Sequence, residues 1–191
     1  MTPPELNTKR LLLRGWTPED HAPFAAICGD PAVMRYIGNG ATRTADQAAA
    51  NITSFQTQWA ERGFGLFAVQ SKETGDLIGF TGFSRPDFLP EVLPAVEIGW
   101  RFSRPSWGQG YASEAAAAAL AFGTDRLGLT DIVSISQRGN SASARIMQKL
   151  GMVFVIFGLF APIFLFIFMR EASPALAIPG LIAALALHFT G

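Results

Sequence analysis

The chain has 191 residues, a length that suits one domain with its own core. Fifteen Lys and Arg balance fifteen Asp and Glu, so no net field draws in nucleic acid, and no basic run is present. The one cysteine, Cys28, excludes an intrachain disulfide framework, and His21 and His188 are too far apart in sequence to give a metal-site spacing.

The opening MTPPELNTKRLLLRG lacks the basic and then apolar pattern of a secretory signal, so the start reads as cytosolic. RLLLRGW (Arg10–Trp16) predicts a strand. TPEDHAPFAAI follows, with Thr17 as N-cap, Pro18 at the first helical position and Glu19 and Asp20 at the positive end of the helix. DPAVMRYI repeats the device with Asp30 and Pro31. TADQAAANITSFQTQWAERG pairs Thr44 with Gln47 in a capping box and ends at Gly63. The period then changes. FGLFAVQ and LIGFTGFS predict two strands around a hairpin loop, SKETGD, and AVEIGWRF (Ala95–Phe102) predicts a third, after a Pro-rich surface loop, RPDFLPEVLP. A helix is expected from about Gln109 to Leu127, a strand over Asp131–Gln137 and a helix over Asn140–Gly151. The order implies a mixed α/β fold: an antiparallel meander followed by a β–α–β–α section.

RPSWGQGYASEAAAAALAFG (Arg104–Gly123) raises a specific question. Gly108 and Gly110 stand between a strand and a run of helix formers. A helix start carries unpaired N–H groups and the positive end of the dipole, and glycine removes side chains that would hold a phosphate away. A plain turn is the other reading. The dinucleotide fingerprint is excluded, because Ser113 occupies the place of its third glycine.

Taken together, TKRLLLRGWTPED, GDPAVMRYIG, ETGDLIGFTGFS, VEIGWRF, PSWGQGYASEA and GNSASARIMQKLGM resemble, in order and spacing, the GNAT superfamily of acetyl-CoA-dependent N-acetyltransferases, and within it the ribosomal-protein-alanine acetyltransferase branch. The resemblance covers about residues 8–152. It implies an α/β GNAT fold, a mixed central sheet flanked by helices, and acetyl-CoA as cosubstrate. The acceptor it implies is an amine, either a protein N-terminus or a small molecule.

It also implies roles. Trp107, Gly108, Gln109, Gly110, Tyr111, Ala112 and Ser113 would hold the pyrophosphate of coenzyme A, and backbone N–H groups near Ile98, Gly99 and Trp100 would face the thioester. The superfamily opens the loop with Gln or Arg where this chain has Pro105, so Arg104 or Arg101 is the candidate for the missing positive contact. Glu97 is the candidate base, acting through water; its other reading is a solvent-facing residue of the strand. Tyr111 is read as core packing or as a proton donor to the leaving thiolate. Asn140 and Ser143 match the family's Asn-x-x-Ser; Asn140 also reads as a helix cap. No metal is implied.

The resemblance stops near Phe154. Of the thirty charged residues only Arg170 and Glu171 lie beyond position 150. The expected division is a domain over 1–152, lacking its closing strands, and an apolar tail over 153–191. Two uncharged runs there approach the ~20 residues that span a bilayer at ~1.5 Å each. Three readings stand: a membrane hairpin turning at Arg170–Pro174, a frameshifted or spliced end, or a very apolar buried strand and helix. The abrupt switch favours the second as to origin. Location is expected to be cytoplasmic, with membrane association through 153–191. Loss of the closing strands would impair turnover, and the alternative function is a non-catalytic acyl-CoA-binding or membrane-associated remnant.

Overall fold

The computed structural model describes residues 2–155 and 163–168. The described residues form two compact units, residues 2–84 with 98–128, and residues 85–97 with 129–155 and 163–168.

In the first unit, β1 (Leu6–Asn7), β2 (Leu11–Arg14), β3 (Leu66–Ser71), β4 (Leu77–Ser84) and the greater part of β5 (Val96–Phe102) stand side by side in that order. The first three pairings are antiparallel. The helices are α1 (His21–Gly29), the single turn α2 (Pro31–Met34), α3 (Ala45–Arg62) and α4 (Tyr111–Asp125). Successive strand residues face opposite ways, and both faces carry aromatic side chains. On one face Phe80 meets Trp16, Phe24 and Phe55 with ring centroids 5.5–6.4 Å away. On the other, Phe67 packs against Trp59 at 4.7 Å and Phe122 at 5.8 Å. The alanine run is helical, and Ala115, Ala116 and Ala119 are fully buried, so small side chains form the inner side of α4.

The caps read from the sequence are present. Asp30 accepts from the Ala32 N–H at 2.8 Å, and Thr44 and Gln47 exchange hydrogen bonds at 3.0 and 3.3 Å. The segment after Thr17 differs from its expected form: residues Pro18–Asp20 make a 3-10 turn and α1 begins only at His21. The cause lies in Asp20. Its carboxylate is buried and takes both ends of the Arg14 guanidinium, at 2.7 and 2.9 Å, together with the Thr17 N–H at 2.8 Å. Arg14 also donates to Gln70 Oε1 and the Gly15 carbonyl, so the pair is fully hydrogen-bonded.

The second unit orders the start of β5, then β6 (Ile132–Gln137), β8 (Ile163–Phe168) and β7 (Met152–Val155), with α5 (Ser141–Lys149) after β6. β5 and β6 run parallel, with Val96 opposite Ile132 and Glu97 opposite Val133. Val92, Ala95, Val133 and Ile167 form its core. The first apolar run of the expected tail therefore supplies a sheet strand. Residues 163–168 pair antiparallel with both β6 and β7. Among the described residues no helix is long and apolar enough to cross a membrane. The expected turn at Arg170–Pro174 and the second apolar run lie outside the described residues.

Candidate active site

The site builds from the turn between β5 and α4. Residues Arg104–Ser106 form a 3-10 turn, and Ser103 and Ser106 share a hydrogen bond between their hydroxyls at 2.7 Å. The chain then needs two left-handed residues. Gly108 has φ 75°, and Gly110, the N-cap of α4, has φ 79° and ψ 3°. A side chain at either position would be strained in that conformation. α4 begins at Tyr111, two residues later than expected, because Gln109 lies in this turn with its side-chain amide donating to the Pro105 carbonyl at 2.9 Å. Gly110 offers no capping side chain, and the first helical hydrogen bond is that from the Glu114 N–H to the Gly110 carbonyl at 3.0 Å. The N–H groups of Tyr111, Ala112 and Ser113 thus have no partner among the described residues. Gly108, Gln109 and Gly110 are exposed, and Trp107 is exposed while its indole N–H donates to the Phe102 carbonyl at 2.9 Å. The turn presents a patch of unpaired N–H groups on an exposed surface, the arrangement that takes an anion.

One residue that holds this turn was missed in the sequence. Arg10, in the bend just before β2, donates Nε to Glu114 Oε2 at 2.7 Å and Nη1 to the Gln109 carbonyl at 2.9 Å. Its guanidinium also lies over the Tyr111 ring, 4.4 Å from the centroid. Glu114 accepts in addition from the Thr8 hydroxyl at 2.6 Å and the Arg10 N–H at 2.9 Å. The first turn of α4 is thereby tied to the segment that joins β1 to β2. Tyr111 is consequently not a core residue: it is half-buried at the rim of the helix, beneath Arg10.

Glu114 titrates below the ordinary glutamate range. Burial acts to raise it, but the Thr8 hydroxyl, the Arg10 N–H and the Arg10 guanidinium outweigh that effect. The folded value is depressed, so the stabilisation is complete above the unfolded pKa of about 4.3 and is lost as pH falls through the folded value beneath it. Glu114→Gln is expected to flatten the dependence of melting temperature on pH below about pH 4.3 and to cost about 1 kcal/mol at neutral pH. Thermal melts across pH 2–7 check this.

Of the two arginines offered for the basic contact, Arg104 is exposed in the 3-10 turn itself, its carbonyl accepting from the Trp107 N–H. Arg101 points elsewhere. Ile98 and Phe102 face the core, and strand alternation sends Arg101 to the opposite face, over the Phe80 ring. Gly99 lies on that same face. A Cβ there would meet nothing within 4 Å, and the Gly99 carbonyl accepts from the Thr81 hydroxyl at 2.9 Å. Trp100 is partly buried.

Three predicted site residues belong to the second unit. Glu97 is partly buried on β5, in register with Val133. Asn140 caps α5, its Oδ1 accepting from the Ser143 N–H at 3.2 Å. The Ser143 side chain is partly buried.

Comparison with known proteins gives a consistent result. Residues 10–153 match the family described as acetyltransferase (GNAT) domain. The chain is 34% identical over 147 residues to the N-acetyltransferase YnaD of Bacillus subtilis, covering 77% of this chain and 81% of that protein. It superposes on a GNAT-family acetyltransferase from Bacillus anthracis with a TM-score of 0.74 at 26% identity, covering 88% of this chain and 100% of that one. The ribosomal L7/L12 α-N-protein acetyltransferase RimL, solved with coenzyme A, shares the fold at a TM-score of 0.72 and 12% identity, with 89% and 100% of the two chains covered. A family match over this span, together with a relative of that identity, is sufficient for assignment: the chain belongs to the GNAT acetyltransferases.

Proposed function

We propose that this GNAT enzyme transfers the acetyl group of acetyl-CoA to a primary amine, with the turn Trp107–Ser113 as the seat of the coenzyme A pyrophosphate. The observation that carries the proposal is the set of unpaired N–H groups at Tyr111–Ser113 behind two left-handed glycines. Backbone N–H donors and the dipole of a 15-residue helix together favour a doubly charged pyrophosphate. Arg10 acts as a positioning residue, because its charge is already engaged by Glu114.

Transfer to an amine needs a neutral nucleophile, a polarised thioester carbonyl and a stabilised thiolate. The backbone at Ile98–Trp100 is assigned to the carbonyl, and the open space at Gly99 is room for it. Tyr111 is the candidate donor to the thiolate. Asn140 and Ser143 are assigned to the pantetheine arm, a role compatible with the cap that Asn140 also makes. Glu97 is assigned as the base, through an intervening water. Glu97→Gln is expected to lower turnover by about 10²-fold and leave acetyl-CoA affinity within about twofold. Steady-state rates across pH 6–9, beside calorimetric titration of acetyl-CoA, test the assignment. Unchanged turnover over that range would return Glu97 to a structural role.

A further inference from the structure

We infer that the Arg101 guanidinium receives a carboxylate carried by the acceptor, so that the amine acetylated is a small amino-acid-like molecule; this rests on reading the chain as an acetyl-CoA-dependent N-acetyltransferase. Arg101 extends from β5 over Phe80, its guanidinium carbon 5.2 Å from the ring centroid, and donates Nη1 to Cys28 Sγ at 3.2 Å. Phe80 and Cys28 belong to the apolar cluster of Trp16, Phe24 and Leu66. The Nε is enclosed and has no hydrogen-bond partner among the described residues. Arg14 shows what an inward arginine in this unit otherwise has: a bidentate carboxylate and further acceptors.

Arginine cannot shed its proton, and sulfur is a weak acceptor, so the charge stays and is poorly compensated. An uncompensated buried cation costs free energy in the unliganded protein. Nearby charge does not relieve it. Burial depresses the guanidinium's affinity for its proton, the Cys28 sulfur opposes this in part, and the field of Arg43 adds a smaller depression. Arg43 is held close because its N–H donates to the Cys28 carbonyl at 3.0 Å.

The geometry of the head specifies the missing ligand. Cys28 takes the Nη1 corner. The Nε and Nη2 hydrogens lie along one edge of the planar group, and neither has an acceptor among the described residues. That edge is the fork to which a carboxylate binds through both oxygens, once the side chains that enclose Nε give way. Placement fits as well. Arg101 is two residues from Gly99 on the same face, about 7 Å along the strand. An acceptor bearing both groups would turn its amine toward the thioester and its carboxylate toward the fork. A protein N-terminus has its α-carboxyl tied up in an amide and offers no such group.

The test compares free L-amino acids with their matched amino-acid amides as acceptors, by initial rates of coenzyme A release. A second arm reads thermal shifts with N-acetyl-L-amino acids against N-acetyl-amino-acid amides in the absence of acetyl-CoA. The wild-type chain is expected to favour the best free acid by about 10²-fold in kcat/KM, as expected when a built hydrogen-bonding site meets an analogue lacking its partner. Arg101→Met is expected to reduce that preference to within about threefold, mostly through KM, and to melt no lower than wild type because an unpaired buried charge is gone. Arg101→Lys keeps charge without the fork and is expected to fall between. Equal use of acids, amides and peptides by the wild type, or discrimination retained in both variants, overturns the inference. Should acetyl-CoA fail to bind, the transferase reading falls, and the thermal-shift arm still decides Arg101 by itself.

Discussion

Gly110→Trp is expected to abolish measurable acetyl-CoA binding, a weakening of at least ~10²-fold from the loss of the charge-assisted backbone contacts. Two effects act together. The indole fills the space in front of the N–H groups of Tyr111–Ser113, and it grows from a residue at φ 79°, where a Cβ already lies 3.6 Å from Arg10 Nη2. The backbone strain costs about 1–2 kcal/mol of stability. That is small beside the binding loss, so far-UV circular dichroism is expected to be nearly unchanged while calorimetry shows no heat of binding. A variant that folds and binds acetyl-CoA as wild type does would remove the turn from the site.

The largest effect on stability is expected from Asp20→Ala. Asp20 is 2% exposed and Arg14 17% exposed, and the pair is bidentate. Removing one partner strands the other charge, at a cost of about 3–5 kcal/mol. For a chain of this size that lowers the melting temperature by about 10 °C. Replacing both, as Arg14→Met with Asp20→Leu, is expected to recover most of the loss, because no charge is then left unpaired. The pH dependence carries the same sign as that of Glu114. Burial tends to raise the Asp20 pKa, but the Arg14 and Thr17 hydrogen bonds bring the net value below the ordinary range. The pair's contribution is therefore complete above the unfolded value of about 3.9 and disappears as pH falls through the folded one. Differential scanning calorimetry of the three proteins at pH 7 and pH 3 measures both effects. A single mutant as stable as wild type at pH 7 would contradict this account of the pair.

What the sequence revealed was mainly local. The caps at Asp30, Thr44 and Asn140 are set by residues two or three apart, and the left-handed glycines announce their turn directly. The Arg10–Glu114 clamp joins residues 104 positions apart, and nothing in either neighbourhood marks it. Arg101 was within reach of sequence reasoning: Ile98 and Phe102 share a parity on β5, so Arg101 had to face the other way from them. The apolar run before Arg170 was ambiguous for a different reason. IFLFIF is apolar at every position, so neither strand nor helix period is visible, and only pairing with β6 and β7 identifies it as a strand.

The central claim is that the N–H groups at the start of α4 bind the pyrophosphate of the cosubstrate. Acetyl-CoA and acetyl-pantetheine carry the same thioester, and only the first carries the pyrophosphate and nucleotide. Calorimetric titration of the wild-type chain with each, in the same buffer, isolates that difference. The account predicts that acetyl-CoA binds at least ~10²-fold more tightly, from several charge-assisted hydrogen bonds. Equal affinity for the two would contradict it.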